Sequence, residues 1–127
     1  MSTPETIDLT PQELDLVLYA GDGVRFPLVI TDKDANPVNL TGTLRAQIRA
    51  KYADTAPAAS FTVDLTDPDT DLATGKAVLT LAGADTQALV VLGKKFKGVW
   101  DVEWTPDGAQ PRTLLQGKVE CDPDATR

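Results

Sequence analysis

The strictest constraint on the fold is a segment of alternating residues that follows two turns. Asn36-Pro37 and Thr41-Gly42 have the composition of turns, because proline fixes φ and glycine accepts positive φ. Apolar and polar residues then alternate over 44–51, which is the period of a strand with one buried face and one exposed face. The segment predicts a β-strand whose outer face carries three cations, Arg45, Arg49 and Lys51.

Six further segments have the period or the bounding turns of a strand. They cover 14–19, 24–31, 61–66, 76–81, 99–105 and 112–121. Trp100 and Trp104 share one face of their strand, which predicts that this strand crosses the centre of the core. Pro27 places its own strand at a sheet edge or a bulge, because proline donates no backbone hydrogen bond. The predicted core comprises Phe26, Leu44, Ile48, Phe61, Leu79, Trp100, Val102 and Trp104.

One segment has helical spacing instead. The apolar residues of 82–92 recur with that spacing, Asp85 or Thr86 is placed to cap the first turn, and Gly93 ends the helix. The apolar positions are Ala84, Ala88, Leu89 and Leu92. About seven strands and one short helix predict an all-β fold, an antiparallel β-sandwich of immunoglobulin-like architecture.

The chain of 127 residues is the size of one domain. Residues 1–12 are rich in Thr, Pro and Glu and are expected to form a flexible N-terminal arm, 13–121 the sandwich, and 122–127 a short tail. Cys121 is the single cysteine, so no disulfide forms within the chain, and it is expected to lie buried in the last strand.

Composition argues against several functional classes. With 19 acidic and 12 basic residues the net charge is -7, which repels a phosphate backbone, and no apolar run is long enough to span a membrane. The chain contains no histidine, the commonest general base, and neither Ser2 nor Ser60 has a nearby base. We therefore expect a protein that is not an enzyme, holds no cofactor, and binds neither nucleic acid nor membrane.

An acidic turn is the one candidate for a metal site. Its carboxylates alternate like those that open a calcium loop, at Asp67, Asp69 and Asp71. The sixth position of such a loop needs glycine and is Leu72, and the twelfth needs glutamate and is Val78. The segment is interpreted as a solvated turn, with a weak cation site as the alternative.

The cationic outer face is a candidate contact surface. Arg45, Arg49 and Lys51 either discourage unwanted sheet pairing or bind an acidic partner. Asp124 and Arg127 in the tail are further candidates for partner contact, because termini and exposed edges are common docking elements.

Several of these pieces, in this order, resemble the N-terminal domain family of tailed-phage baseplate upper proteins and related small tail proteins. The resemblance covers residues from about 13 to 127. The pieces that carry it are a strand that ends in Gly21-Asp22, Val24-Arg25-Phe26-Pro27-Leu28-Val29-Ile30-Thr31-Asp32, Asn36-Pro37-Val38-Asn39-Leu40-Thr41-Gly42, Gln47-Ile48-Arg49, Thr74-Gly75-Lys76-Ala77-Val78-Leu79, Asp85-Thr86-Gln87-Ala88-Leu89, Trp100-Asp101-Val102-Glu103 and Leu114-Leu115-Gln116-Gly117-Lys118-Val119.

The resemblance implies a virion structural protein, a β-sandwich of the tail or baseplate that docks on other virion proteins. It also implies a homo-oligomer, possibly a trimer, that is assembled in the cytoplasm of a bacterial host. A capsid decoration protein bound to the major capsid lattice is the alternative within the same class. A small cation- or carbohydrate-binding β-module, with the acidic turn as its site, is the alternative from another class.

Overall fold

The computed structural model describes residues 5–7, 12–32 and 34–123. The strands are β1 Glu5–Ile7, β2 Gln12–Glu13, β3 Leu16–Tyr19, β4 Val24–Ile30, β5 Thr43–Arg49, β6 Ala59–Ser60, β7 Thr62–Val63, β8 Lys76–Leu81, β9 Phe96–Thr105 and β10 Arg112–Asp122. The helix α1 covers Gly83–Leu89, and a 3-10 turn covers Leu72–Thr74. Within the described ranges, no helix has the length and apolar character needed to span a membrane.

The strands form two sheets that enclose one core, so the predicted all-β sandwich with one short helix is confirmed. The four-stranded sheet has the order β1-β4-β8-β7. In the six-stranded sheet, β2 and β3 both lie on one side of β10, and β9, β5 and β6 follow on its other side. Most neighbours are antiparallel, whereas β1 runs parallel to β4, and β2 and β3 run parallel to β10. The prediction did not include these parallel pairs, which arise because the N-terminal segments cross between the sheets instead of forming hairpins.

The flexible arm predicted for 1–12 is wrong for two of its segments. β1 pairs with Leu28–Ile30 of β4, and β2 pairs with Leu115 and Gln116 of β10, so the sandwich begins before residue 13. The other residues of 1–12, and the tail residues 124–127, lie outside those that the structure describes. Pro27 is accommodated because β1 flanks only the end of β4, which leaves Pro27 with a described neighbour strand on one side alone.

The core is centred on Trp100, which is 1% exposed. The rings of Phe26 and Phe61 contact it at centroid distances of 5.7 and 5.8 Å. Its indole nitrogen donates to the carbonyl oxygen of Leu14 at 2.7 Å, so the ring is buried without an unpaired donor. Of the eight residues predicted to form the core, six are buried, and two, Phe26 and Leu44, are half-buried against it.

The strand predicted over 61–66 is wrong. The chain instead forms β6 in the six-stranded sheet and β7 in the four-stranded sheet, and Phe61 lies at the crossing with its nitrogen 2.9 Å from the carbonyl oxygen of Ala46. β7 ends at Val63, and one further bond to β8 follows, from the Asp64 N–H to the Val78 carbonyl oxygen at 2.8 Å. The Asp64 carboxylate then accepts both the backbone N–H and the hydroxyl of Thr66, as in a turn. Alternation continues to Leu65, but this side chain is exposed.

The helix is shorter than predicted and is oriented differently. Its N-cap is Ala82, whose side chain offers no capping oxygen, so neither Asp85 nor Thr86 caps it. The helix buries Thr86 and Leu89, whereas two of the predicted apolar positions, Ala84 and Ala88, are exposed. The prediction failed because it used apolar spacing alone, and a polar residue lies on the buried face.

Candidate functional site

The cationic face of β5 is paired with the acidic face of β9. Arg45 lies opposite Glu103 in the ladder, and its Nη2 is 2.9 Å from Glu103 Oε1. Arg49 Nη1 is 3.5 Å from Asp101 Oδ1, and Arg49 Nη2 also donates to Gln47 Oε1. We refer to these residues as the charge ladder. Arg45 and Arg49, two of the residues predicted as partner contacts, therefore form ion pairs within the chain.

Asp101 differs electrostatically from an ordinary surface carboxylate. Burial raises its pKa above the usual value, and Glu103 raises it further, while Arg49 lowers it. The phenol ring of Tyr52 is close enough for the Asp101 charge to raise the pKa of Tyr52, on top of the larger effect of burial. The ladder is thus a partly dehydrated charge network, in which the longer Arg49 contact does not fully offset desolvation.

The other predicted contact residues are not gathered with the charge ladder. Lys51 lies beyond the end of β5 in an exposed turn, where its backbone N–H donates to Asp54 Oδ2 at 3.2 Å. Asp124 and Arg127 lie outside the described residues. The described part of the chain therefore brings together only Arg45 and Arg49.

The acidic turn is closed by an arginine from β4. Arg25 Nε is 2.9 Å from Asp67 Oδ2, and its Nη2 is 3.1 Å from Asp67 Oδ1 and 2.6 Å from Asp69 Oδ2. The hydrogen bonds from Arg25 hold the pKa of Asp67 below its usual value, and the same contacts raise the pKa of the guanidinium. This is a bidentate arginine–carboxylate pair at the protein surface.

The cation site proposed for this turn has no structural support. Arg25 occupies the carboxylates of Asp67 and Asp69, while Asp71 is exposed and bridges to Lys76 through its backbone. Within the described ranges, no three Cys, Asp or Glu side chains are arranged to hold a metal ion. The sequence could not anticipate this, because Arg25 lies 42 residues from Asp67.

Thr86 is a buried polar residue, whereas the sequence pattern indicated it only as a possible helix cap. Its Oγ1 accepts the Gly21 N–H at 3.0 Å and lies 2.9 Å from the Asp22 carbonyl oxygen, to which it donates. These bonds fasten α1 to the connection between β3 and β4. Cys121 Sγ lies 3.5 Å from the Thr86 carbonyl oxygen, so the single cysteine is buried behind the helix, as expected.

Apolar side chains are exposed at the end of the sandwich where β3 pairs with the last residues of β10. Val17 and Tyr19 on β3 lie opposite Glu120 and Asp122 of β10, near the start of β9. Their exposed fractions are 57% and 51%. Leu16–Tyr19 carries no charged residue, so the sequence pattern does not separate an apolar face from a polar face here.

A tight turn between α1 and β9 exposes further apolar groups. Lys94 N–H donates to the Val91 carbonyl oxygen at 3.1 Å, and the two residues between them have positive φ. One of these is Leu92, at φ 55 and 91% exposed, a backbone conformation that favours glycine or asparagine. Lys95, the next residue, has its Nζ 3.0 Å from Asp122 and 3.8 Å from Glu120, and the hydrogen bond that it donates to Asp122 makes the largest contribution to its raised pKa.

Comparisons with known proteins do not assign the chain to a family. No family model matches the sequence, and no curated protein matches it. Among solved structures, it is similar to the crystal structure of domains 4 and 5 of the S-layer protein SbsC, at a TM-score of 0.46 and 14% sequence identity. The match covers 87% of this chain and 42% of that chain, so this chain spans less than half the length of the S-layer structure.

Proposed function

We propose that the chain is a structural subunit of a bacteriophage tail or baseplate and acts by binding other virion proteins. The proposal starts from the resemblance carried by the segments between Val24 and Val119. The two-sheet fold is of the kind that this resemblance implies.

The main support for this proposal is the distribution of exposed apolar side chains and of paired charges on the surface. Four of the six large hydrophobic side chains that are exposed within the described ranges lie at one end of the sandwich: Val17, Tyr19, Val91 and Leu92. The charges of the ladder, and the carboxylates of Asp67 and Asp69 in the acidic turn, are paired within the chain. A surface with internally paired charges and clustered exposed apolar groups is suited to contact with another protein.

The glycines in the segments that carry the resemblance support a likeness of architecture. Gly42 has φ +88, and a Cβ there would lie 2.1 Å from the Thr105 carbonyl oxygen. Gly75 has φ +78, and a Cβ there would lie 2.3 Å from the Ile30 carbonyl oxygen. Both positions require glycine, because any other residue combines an unfavourable φ with a backbone clash. These motif residues therefore direct the backbone.

Immunogold electron microscopy of the phage particles that encode the chain tests the proposal. Antibody raised against the purified domain is expected to label the tail or its tip. Label spread over the head would contradict the tail assignment and support capsid decoration. Mass spectrometry of the same particles is the control for hidden epitopes. Particles that lack both the label and the peptides of this chain would overturn the virion assignment altogether.

A further inference from the structure

Alternate residues of the edge strand β3 direct their backbone groups away from its neighbour β10. Leu14 N–H donates to the Gln116 carbonyl oxygen at 2.9 Å, and Ala20 N–H donates to the Asp122 carbonyl oxygen at 2.8 Å. In a parallel pair, alternate residues direct both backbone groups to the same neighbour, so Leu16 and Leu18 also face β10. The N–H and C=O groups of Val17 and Tyr19 therefore point away from β10, toward a side where no described strand lies.

Other edges of the two sheets are short or charged, and β3 is neither. β1 is three residues long, and β2, β6 and β7 are two residues long. The uncovered part of β5 carries Arg45, a charge of the kind that blocks sheet extension. β3 has four residues, with no lysine, proline or bulge, and all of them are apolar. It lacks the usual features that prevent pairing with another chain.

We infer that β3 pairs antiparallel with β3 of a second copy of this chain, about a two-fold axis at Leu18. Val17 and Tyr19 lie symmetrically on either side of Leu18, so each Val17 meets Tyr19 of the second copy. In such a hydrogen-bonded pair the two residues exchange both of their N–H···O bonds. The Tyr19 carbonyl oxygen already accepts the Asp22 N–H at 3.0 Å, and its second lone pair accepts the new bond.

The exposed side chains fit the same arrangement. Val17 and Tyr19 lie on the outer face of the sheet, where each β-branched side chain packs beside an aromatic ring of the second copy. A two-fold interface uses the same patch on both copies, and this patch is self-complementary. The exposed apolar area and the backbone groups that point away from β10 are thereby covered together.

The net charge of the chain makes the inferred pairing of two β3 strands depend on ionic strength. The net charge of -7 makes two copies repel each other at long range. Beside β3, Glu120 and Asp122 share the single cation of Lys95, and Asp15 directly precedes the strand, so a negative charge remains near the pairing edge, and salt screens it. Association is therefore expected to strengthen from low to physiological ionic strength.

Sedimentation equilibrium from micromolar to millimolar concentration tests the inference. The wild-type chain is expected to form a dimer that dissociates on dilution. In low salt, the dimer is expected to dissociate at higher protein concentrations than at physiological ionic strength. Val17→Lys places like charges beside the axis and is expected to abolish the dimer. Leu65→Lys is the matched control, because Leu65 is equally apolar, 69% exposed and located in the turn after β7. This control is expected to dimerise like wild type.

Amide hydrogen exchange of the wild-type protein supplies a second readout. The Val17 amide is expected to gain protection as concentration rises, while the Leu18 amide, bonded to β10, is protected throughout. A wild-type chain that stays monomeric, a Val17→Lys variant that dimerises normally, or a Val17 amide insensitive to concentration would each overturn the inference. If Val17→Lys unfolds, the wild-type exchange data decide. The pairing rests on β3 and not on the virion assignment, so a dimer with unlabelled particles would overturn only the latter.

Discussion

The outer face of the six-stranded sheet contains two unlike regions. On β5 and β9 the outward residues include two ion pairs, Arg45 with Glu103 and Arg49 with Asp101. On β3 the outward residues are Val17 and Tyr19, which remain half-exposed at a sheet edge. Alternation assigns residues to a face, but neighbouring strands decide whether that face is complete. The charge ladder is complete within one chain, whereas the edge at β3 is not.

The largest expected loss of stability comes from a substitution on the inner face of the six-stranded sheet, behind both of these regions. Trp100→Ala removes the ring that Phe26 and Phe61 contact, and the cavity is expected to lower the free energy of unfolding by about 3–5 kcal/mol. Urea denaturation followed by circular dichroism measures this. A loss below about 1 kcal/mol would contradict the central position of β9.

The turn that leads into β5 is expected to be the next most sensitive position. Gly42→Ala combines positive φ with displacement of the Thr105 carbonyl and is expected to cost about 2–3 kcal/mol. Gly93→Ala is the matched control, because it also has positive φ but nothing lies within 4 Å of its added Cβ. It is expected to cost about 1 kcal/mol. Equal losses in thermal denaturation would show that the clash at Gly42 relaxes freely.

The end of β3 is expected to depend on Thr86. Thr86→Val keeps the shape of the side chain but leaves the Gly21 N–H unpaired, which is expected to cost about 1–3 kcal/mol. Thr86→Ser retains the hydroxyl and should lose less. If the serine variant were the less stable of the two, packing of the methyl group, and not the hydrogen bonds, would hold α1 in place.

The sequence predicted the parts of this comparison that depend on local periodicity. Most of β5, β9 and β10 were anticipated, because alternating residues and glycine-containing turns are read from neighbouring positions. The burial of Trp100, Val102 and Trp104 followed from the same pattern. Each strand was therefore assigned an inner face and an outer face before its neighbours were known.

Long-range pairing was not predictable from the pattern. Arg45 and Glu103 are 58 residues apart, so an arginine that looked free proved to be paired. Thr86 was missed as a buried group because its partners, Gly21 and Asp22, lie in a distant turn. The alternation of apolar and polar residues gave no indication that the chain passes from one sheet to the other at Phe61. These features depend on which strands become neighbours.

The pH dependence of the two surface charge clusters is expected to have opposite signs. Burial raises the folded pKa of Asp101 above 3.8, so its contribution to stability is full below that value and declines as pH rises through the folded pKa. Arg25 lowers the folded pKa of Asp67, whose contribution is full at neutral pH and is lost as pH falls through the folded pKa. Carboxyl titration by nuclear magnetic resonance measures both. An Asp101 that titrates below Asp67 would contradict the desolvation of the ladder.

The smallest expected effect on stability is at the β3 edge. Val17→Lys is expected to change the free energy of unfolding of the monomer by no more than about 0.5 kcal/mol, because Val17 contributes little to the core. Thermal denaturation at low protein concentration measures this. A large loss would show that Val17 stabilises the fold and is not available for contact.

The inferred pairing at β3 is tested most directly by a dilution series of amide spectra recorded by nuclear magnetic resonance. If the inference holds, β3, and not the charge ladder, is the part of this surface that contacts a second copy. On dilution from millimolar to micromolar, the account predicts shift changes concentrated at Leu16–Tyr19, with the resonances of β5 unchanged. Changes centred on Arg45 and Arg49, or spectra identical at all concentrations, would contradict it.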